Sequence, residues 1–96
     1  MSVYVDDMRA KYRRMIMCHM VGDTEQELHA MAVLIGVARK WYQGNHYDVC
    51  LSMRAKAVSL GAIEITQREL ARMTLAKRRA AVTQTTAQPP AGTAPR

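Results

Sequence analysis

Imidazole and carboxylate side chains are the groups in this chain best suited to hold a metal ion or move a proton, and they are unevenly spread. The stretch Cys18–His29, read C-H-M-V-G-D-T-E-Q-E-L-H, carries two of the three histidines and three of the eight acidic residues. The remaining histidine lies in His46-Tyr47-Asp48. If that segment is extended, His46 and Asp48 share one face and Tyr47 and Val49 the other. A His and an Asp at i, i+2 suit a ligand pair or an acid/base pair, although two solvated polar residues would leave the same pattern. Asp6-Asp7 closes a short apolar stretch, at the strand end where α/β proteins often place chemistry; a solvated turn is the plainer reading. His19 is the one strongly polar residue in an apolar run. A hydrogen-bonded core histidine is the commonest fate of such a residue, but its place just before Gly22-Asp23 brings it toward a strand end.

Two kinds of chemistry follow. His19 and His46 with two of Asp6, Asp7, Asp23 and Asp48 are candidate imidazole and carboxylate ligands for a divalent ion that would activate water. Alternatively, His19, His29, His46, Tyr47 and Arg54 could donate hydrogen bonds to a phosphate-like anion, with Trp41 stacking on a base. For Trp41 and Tyr42 the plainer role is a partly buried cover. The chain contains no H-E-x-x-H, which weighs against the metal reading, and no Gly-rich phosphate loop, nucleophile elbow or Cys–His signature at diagnostic spacing, which weighs against serine or cysteine covalent catalysis.

The elements that must position these groups are legible in outline. Ser2–Asp7 alternates as a first strand, with Val3 and Val5 on one face. Met8–Arg14 has no clean period and reads as a basic loop. Met15–Val21 is apolar enough for a central strand buried on both faces. Thr24-Glu25-Gln26-Glu27 is a capping box in which the Thr24 hydroxyl accepts from the Glu27 N–H and the Glu27 carboxylate returns to the Thr24 N–H. This occupies Glu27 structurally. Leu28, Met31, Ala32 and Ile35 then form a buried stripe, closed by Gly36 with Val37 behind it. His29 falls beside that stripe, one turn after Glu25. Gly44-Asn45 marks a turn, and His46–Cys50 a short strand. Ser52–Leu60 reads as a second helix with Ser52 as N-cap, Gly61 as stop and Arg54 in its first turns. Ala62–Ile65 alternates as a strand. Thr66-Gln67-Arg68-Glu69 is a second capping box opening a third helix that runs to about Val82, with Lys77, Arg78 and Arg79 in its last turns. The Thr-, Gln- and Pro-rich residues 83–96 read as disordered.

The expected architecture is therefore one α/β domain over residues 1–82, a small three- to four-stranded sheet packed with about three helices, and a tail over 83–96. At 96 residues a single domain is the default. A core this small gives modest stability unless the chain oligomerises, so a homo-oligomer is one expectation. Phe is absent and Met occurs 8 times, so thioethers fill the space that rings would otherwise take. The net charge of +6 favours anionic partners. Cys18 and Cys50 lack metal-knuckle spacing, and without a signal peptide before them a reducing cytoplasm is expected. The apolar runs are too short to span a membrane.

Taken in order, Y-V-D-D at Tyr4–Asp7, C-H-M-V-G-D-T at Cys18–Thr24, E-L-H at Glu27–His29, I-G-V at Ile35–Val37, W-Y-Q at Trp41–Gln43, H-Y-D at His46–Asp48, R-A-K-A-V-S-L-G-A at Arg54–Ala62 and R-E-L at Arg68–Leu70 resemble the domain-of-unknown-function family numbered 4031, short stand-alone proteins of phages and bacteria. The resemblance covers about residues 2–75 and departs at Gly22, where Ala or Ser is more usual. It implies no established reaction. It does imply that Asp6, Asp7, His19, Asp23, His29, His46, Tyr47, Asp48 and Arg54 belong to the pattern, and a host-cell cytoplasm if the protein is phage-encoded.

Three functions are expected from this reading. The first is binding, and conceivably sequestering, a small nucleotide- or phosphate-like anion at the His/Asp/Arg-rich pocket. The second is metal-dependent phosphohydrolase or nuclease chemistry. The third is a DNA- or protein-binding accessory role carried by the basic loop and Lys77–Arg79.

Overall fold

A computed structural model describes residues 2–87, with side chains for residues 2–80. Among these, the elements in order are β1 (Val3–Val5), β2 (Ala10–Tyr12), β3 (Met15–Gly22), α1 (Glu25–Ile35), a 3-10 turn (Arg39–Trp41), β4 (Tyr47–Cys50), α2 (Leu51–Ser59), β5 (Ile63–Glu64) and α3 (Gln67–Ala87). The fold is α/β, as expected, with a mixed five-stranded sheet and three α-helices among the described residues.

The central strand is β3. Its antiparallel partner β4 matches Met17 with Cys50 and Met20 with Tyr47 along one edge. Along the other edge β1 matches Val5 with Met20, and β2 matches Ala10 with Met17, both antiparallel. β1 and β2 are thus successive segments of one edge, interrupted over Asp6–Arg9. The outer edge of β1 takes β5 in parallel, Tyr4 opposite Ile63.

β2 corrects the expectation of a basic loop over Met8–Arg14. Its three residues are all exposed, so no apolar alternation betrays it. The tight connection to β3 at Arg13-Arg14 needs a left-handed residue, and Arg13 supplies it at φ 57. Hairpins usually announce such a position with Gly or Asn, and this one does not.

The register sorts side chains onto two faces. Val3, Val5, Met20, Tyr47 and Val49 point toward α1 and α2 and pack with Leu28, Met31, Ala32, Ile35 and Ala57. Burying a side chain such as Leu28 stabilises the fold by roughly 1.5–3 kcal/mol. Tyr4, Met17, His19, Val21, Asp48 and Cys50 point to the opposite face.

The helix signals hold with two changes. Thr24 caps α1, and the stripe Leu28, Met31, Ala32, Ile35 is buried. The Glu27 carboxylate, however, accepts from the Thr24 hydroxyl at 3.0 Å rather than from its N–H. Gly36 closes the helix at φ 86, with the Val37 N–H donating to the Ala32 carbonyl. α2 is not capped by Ser52: it starts at Leu51 directly from β4, with Cys50 at the N-cap and no side-chain cap bond. The Ser52 hydroxyl lies 3.2 Å from Cys50 Sγ instead. The Thr66 box forms in full, Glu69 N–H to Thr66 Oγ1 at 3.1 Å and Thr66 N–H to Glu69 Oε1 at 2.8 Å.

α3 extends to Ala87, five residues past the boundary at Val82. Nothing there blocks helix propagation until Pro89, whose ring disfavours helix in the preceding residue. Residues 88–96 lie outside the described residues.

Candidate metal centre

Cross-strand pairing builds the site. His19 on β3 stands directly opposite Asp48 on β4. On the other edge of β3 the Asp6 N–H donates to the His19 carbonyl at 3.0 Å, so Asp6 occupies the matching place beyond β1. Three segments far apart in sequence thus form one row, Asp6–His19–Asp48, on the face away from α1 and α2. His46, two residues before Asp48, brings its ring to 5.0 Å from that of His19, edge to face.

Each imidazole has one nitrogen committed. His19 Nδ1 donates to Asp6 Oδ2 at 2.7 Å, and Asp6 Oδ1 accepts from the backbone N–H groups of His19 at 2.7 Å and Met8 at 3.2 Å. His46 Nδ1 lies 2.6 Å from Asn45 Oδ1. An amide oxygen only accepts, so Nδ1 carries the proton. Nε2 is thus the nitrogen each ring keeps for the site, and that of His46 faces Asp48. Asp48 Oδ2 accepts from Gln43 Nε2 at 3.0 Å, which leaves Oδ1. That oxygen is buried and has no hydrogen-bond partner among the described residues, yet it lies 3.3 Å from His46 Nε2. Burial pushes the His46 imidazole below its ordinary range, against the opposing pull of Asp48. Nε2 and Oδ1 thus face one another across a gap that either a proton on Nε2 or a cation would bridge.

One ligand atom from each of His19, His46 and Asp48 lies within 4.8 Å of the others. Bonds of about 2.1 Å to a tetrahedral ion set its ligands about 3.4 Å apart. The His46–Asp48 pair already matches that spacing, and His19 needs only a small approach. Two imidazoles and one carboxylate suit zinc, manganese or ferrous iron and leave coordination positions open for water or substrate.

The other sequence candidates do not join this row. Asp7 Oδ1 accepts from the Gln67 N–H at 2.8 Å and so caps α3. Asp23 Oδ2 accepts from the Ser2 N–H at 2.8 Å, and its hydrogen bond raises the Tyr4 phenol above its usual value. Arg54 donates from Nε to the Asp6 carbonyl at 2.8 Å and from Nη1 to Glu64 at 3.1 Å, so it anchors the Asp6 segment. His29 and Tyr47 sit on the opposite face, with His29 Nδ1 and the Tyr47 hydroxyl 2.7 Å apart and Tyr42 edge-on at 4.6 Å. There burial raises the Tyr42 phenol. His29 Nε2 is buried without a hydrogen-bond partner among the described residues, 3.6 Å from Glu25 Oε1. Trp41 is 57% exposed on the 3-10 turn, with Lys40 Nζ 5.3 Å from its ring centre.

Sequence reasoning passed over two supporting residues. Gln43 and Asn45 orient Asp48 and His46, and only their closeness in sequence to His46-Tyr47-Asp48 could have pointed to them. Asp6 was a candidate ligand; here it holds His19 from behind, the usual place of a carboxylate that sets the tautomer of a metal-bound histidine.

Among the described helices none is long and apolar enough to cross a membrane. Residues 3–77 match the model of a family described as protein of unknown function (DUF4031). No protein with a curated description and no solved structure matches the chain.

Proposed function

The chain belongs to the DUF4031 family, and from that premise we propose that His19, His46 and Asp48 bind a divalent transition metal used to hydrolyse a phosphoester. The observation that carries this reading is the buried Asp48 Oδ1, without a hydrogen-bond partner among the described residues, facing His46 Nε2 at 3.3 Å. Unpaired buried acceptors are costly, and a cation bound by both, with His19 as third ligand, removes the cost. An ion held by three protein ligands keeps a position for water and lowers its pKa toward neutrality. An ion held there by His19, His46 and Asp48 would supply an activated water for attack at phosphorus, the bond to the leaving oxygen breaking as that oxygen takes up the proton the water gives to solvent. The net charge of +6 draws an anionic substrate to such a centre. The anion expected from the sequence thus enters as the substrate, held by the metal rather than by His29, Tyr47 or Arg54. The free thiols Cys18 and Cys50 suit a reducing cytoplasm.

Calorimetric titration of metal-stripped protein with zinc and with manganese tests the proposal. One ion per chain is expected, with Asp48→Asn and His46→Gln each losing at least tenfold in affinity and with metal-dependent release of nitrophenol from bis(4-nitrophenyl) phosphate. Absence of uptake for both ions, in protein that melts cooperatively, sinks the reading.

A further inference from the structure

The largest feature this site does not use is the β2–β3 hairpin. Residues 9–15 are all exposed and include Arg9, Lys11, Arg13 and Arg14, and no acidic residue occurs between Asp7 and Asp23. The hairpin's side chains are sorted like those of the rest of the sheet. Tyr12 pairs with Met15, and Ala10 with Met17, on the face that carries His19. Tyr12 is 52% exposed, and the Arg13 guanidinium lies 5.4 Å from its ring centre. An open ring backed by a cation, beside further arginines, is the surface on which a base stacks while its phosphates are neutralised.

This platform is in line with the metal centre. Met15 and His19 are four residues apart on one strand and on one face, about 13 Å at ~3.3 Å per residue. Two residues past His19, Val21 enters a cleft of about 510 Å³ lined also by Asn45, Met73, Thr74, the basic Lys77 and Arg78, and one acidic residue, Glu25. Asn45 is the residue that orients His46. One face of β3 therefore offers a path of about 20 Å from Met15 to Val21, with more basic than acidic residues at both ends and the candidate metal ligands between. Such a path is longer than a mononucleotide needs and suits a polyanion.

We infer that the β2–β3 hairpin is the docking element for single-stranded nucleic acid, with Tyr12 stacking a base and Arg9, Arg13 and Arg14 holding phosphates, so that a phosphodiester lies at the His19–His46–Asp48 centre. The inference rests on the phosphoester reading of that centre and narrows its substrate to nucleic acid. A duplex fits less well, because its bases are not free to stack on Tyr12.

Fluorescence anisotropy with a labelled single-stranded oligonucleotide, the full-length protein and EDTA throughout tests docking apart from any metal. Binding is expected at low salt, weaker for a duplex of the same sequence. Tyr12→Ala should weaken single-strand binding about 5- to 150-fold, the contribution of one stacked base, with little change in salt slope. Arg9→Gln/Arg13→Gln/Arg14→Gln should flatten the slope of log affinity against log salt by roughly 2, at about 0.7 per phosphate contact. Both variants must melt like the parent, since their side chains are exposed. Undetectable binding at low salt, variants that bind like the parent, or equal affinity for duplex with no loss in Tyr12→Ala each overturn the inference. These outcomes leave metal uptake as a separate measurement. Uptake without docking retires the hairpin assignment alone; docking without uptake retires the hydrolytic centre.

Discussion

Asp6 does two jobs with one carboxylate. It is fully buried, it satisfies the backbone N–H groups of His19 and Met8 where β1 breaks off, and it holds the His19 ring through Nδ1. Arg54 pins the same residue by its carbonyl. Asp6→Asn keeps the shape but presents an amide N–H to a surrounding made of donors. The expected result is a 10- to 100-fold loss of metal affinity, typical when a ligand histidine loses its orienting partner, and a stability loss of about 1–3 kcal/mol. Calorimetry and thermal unfolding of the same sample read both. A stability loss with metal affinity unchanged would make Asp6 a structural residue only. Histidines in this chain differ by where their second nitrogen goes: His19 and His46 face one another on the open side of the sheet, whereas His29 is enclosed with Tyr42 and Tyr47. No property of the residue type distinguishes them, because the strand or helix face decides.

At the level of elements, the join between β3 and α1 is the tightest point near the site. A Cβ on Gly22 would lie 2.9 Å from the Thr24 carbonyl and 3.1 Å from Leu28 Cβ. The first of these is backbone of the capping turn and cannot swing aside. Gly22→Ala is therefore expected to lower stability by about 1–3 kcal/mol through overpacking, measured as a shift in the denaturation midpoint with unchanged slope. A neutral or stabilising result would mean that the turn relaxes freely. Elements with local signatures were readable: the Thr24 and Thr66 caps, the Gly36 stop and the buried stripe of α1 all stand where residue types place them, although only the Thr66 box closes in both directions. β2 was not readable, because its partner and its arginine-bearing turn, rather than its own pattern, make it a strand. The Ser52 cap failed for a related reason: β4 passes into α2 without a loop, so the cap position falls on Cys50.

For the molecule as a whole, the sheet, α1 and α2 form the packed body, and α3 leaves it. Asp7 and Thr66 fix its start, and Lys77 Nζ reaches the Gly22 carbonyl. Yet residues 75–80 are all exposed, Leu75 among them. A helix with so little burial opens at low free-energy cost. Amide hydrogen exchange should therefore be fast beyond Thr74 and slowest in β3, which is paired on both edges. Protection of residues 75–80 equal to that of β3 would contradict this and would show that another surface, such as a second copy of the chain, covers the helix. The net charge of +6 acts at this scale too: it steers polyanions toward the molecule without choosing where they bind.

By itself, the order of residues determined what local rules determine: the Thr24 and Thr66 caps, the Gly36 stop, the apolar stripe of α1, the central strand, and the alternation of Asp48 with Tyr47 and Val49 along β4, directly after His46. These depend on neighbours within four or five positions, so their physics is contained in short segments. Tertiary structure alone decided that Asp6 orients His19 across 13 residues of chain, that Asp48 stands opposite His19, and that Asp7, Asp23, His29 and Arg54 are occupied elsewhere. Strand register is the reason. It is set by burial of one sheet face against α1 and α2, and a slip of one residue would send His19 to the other side.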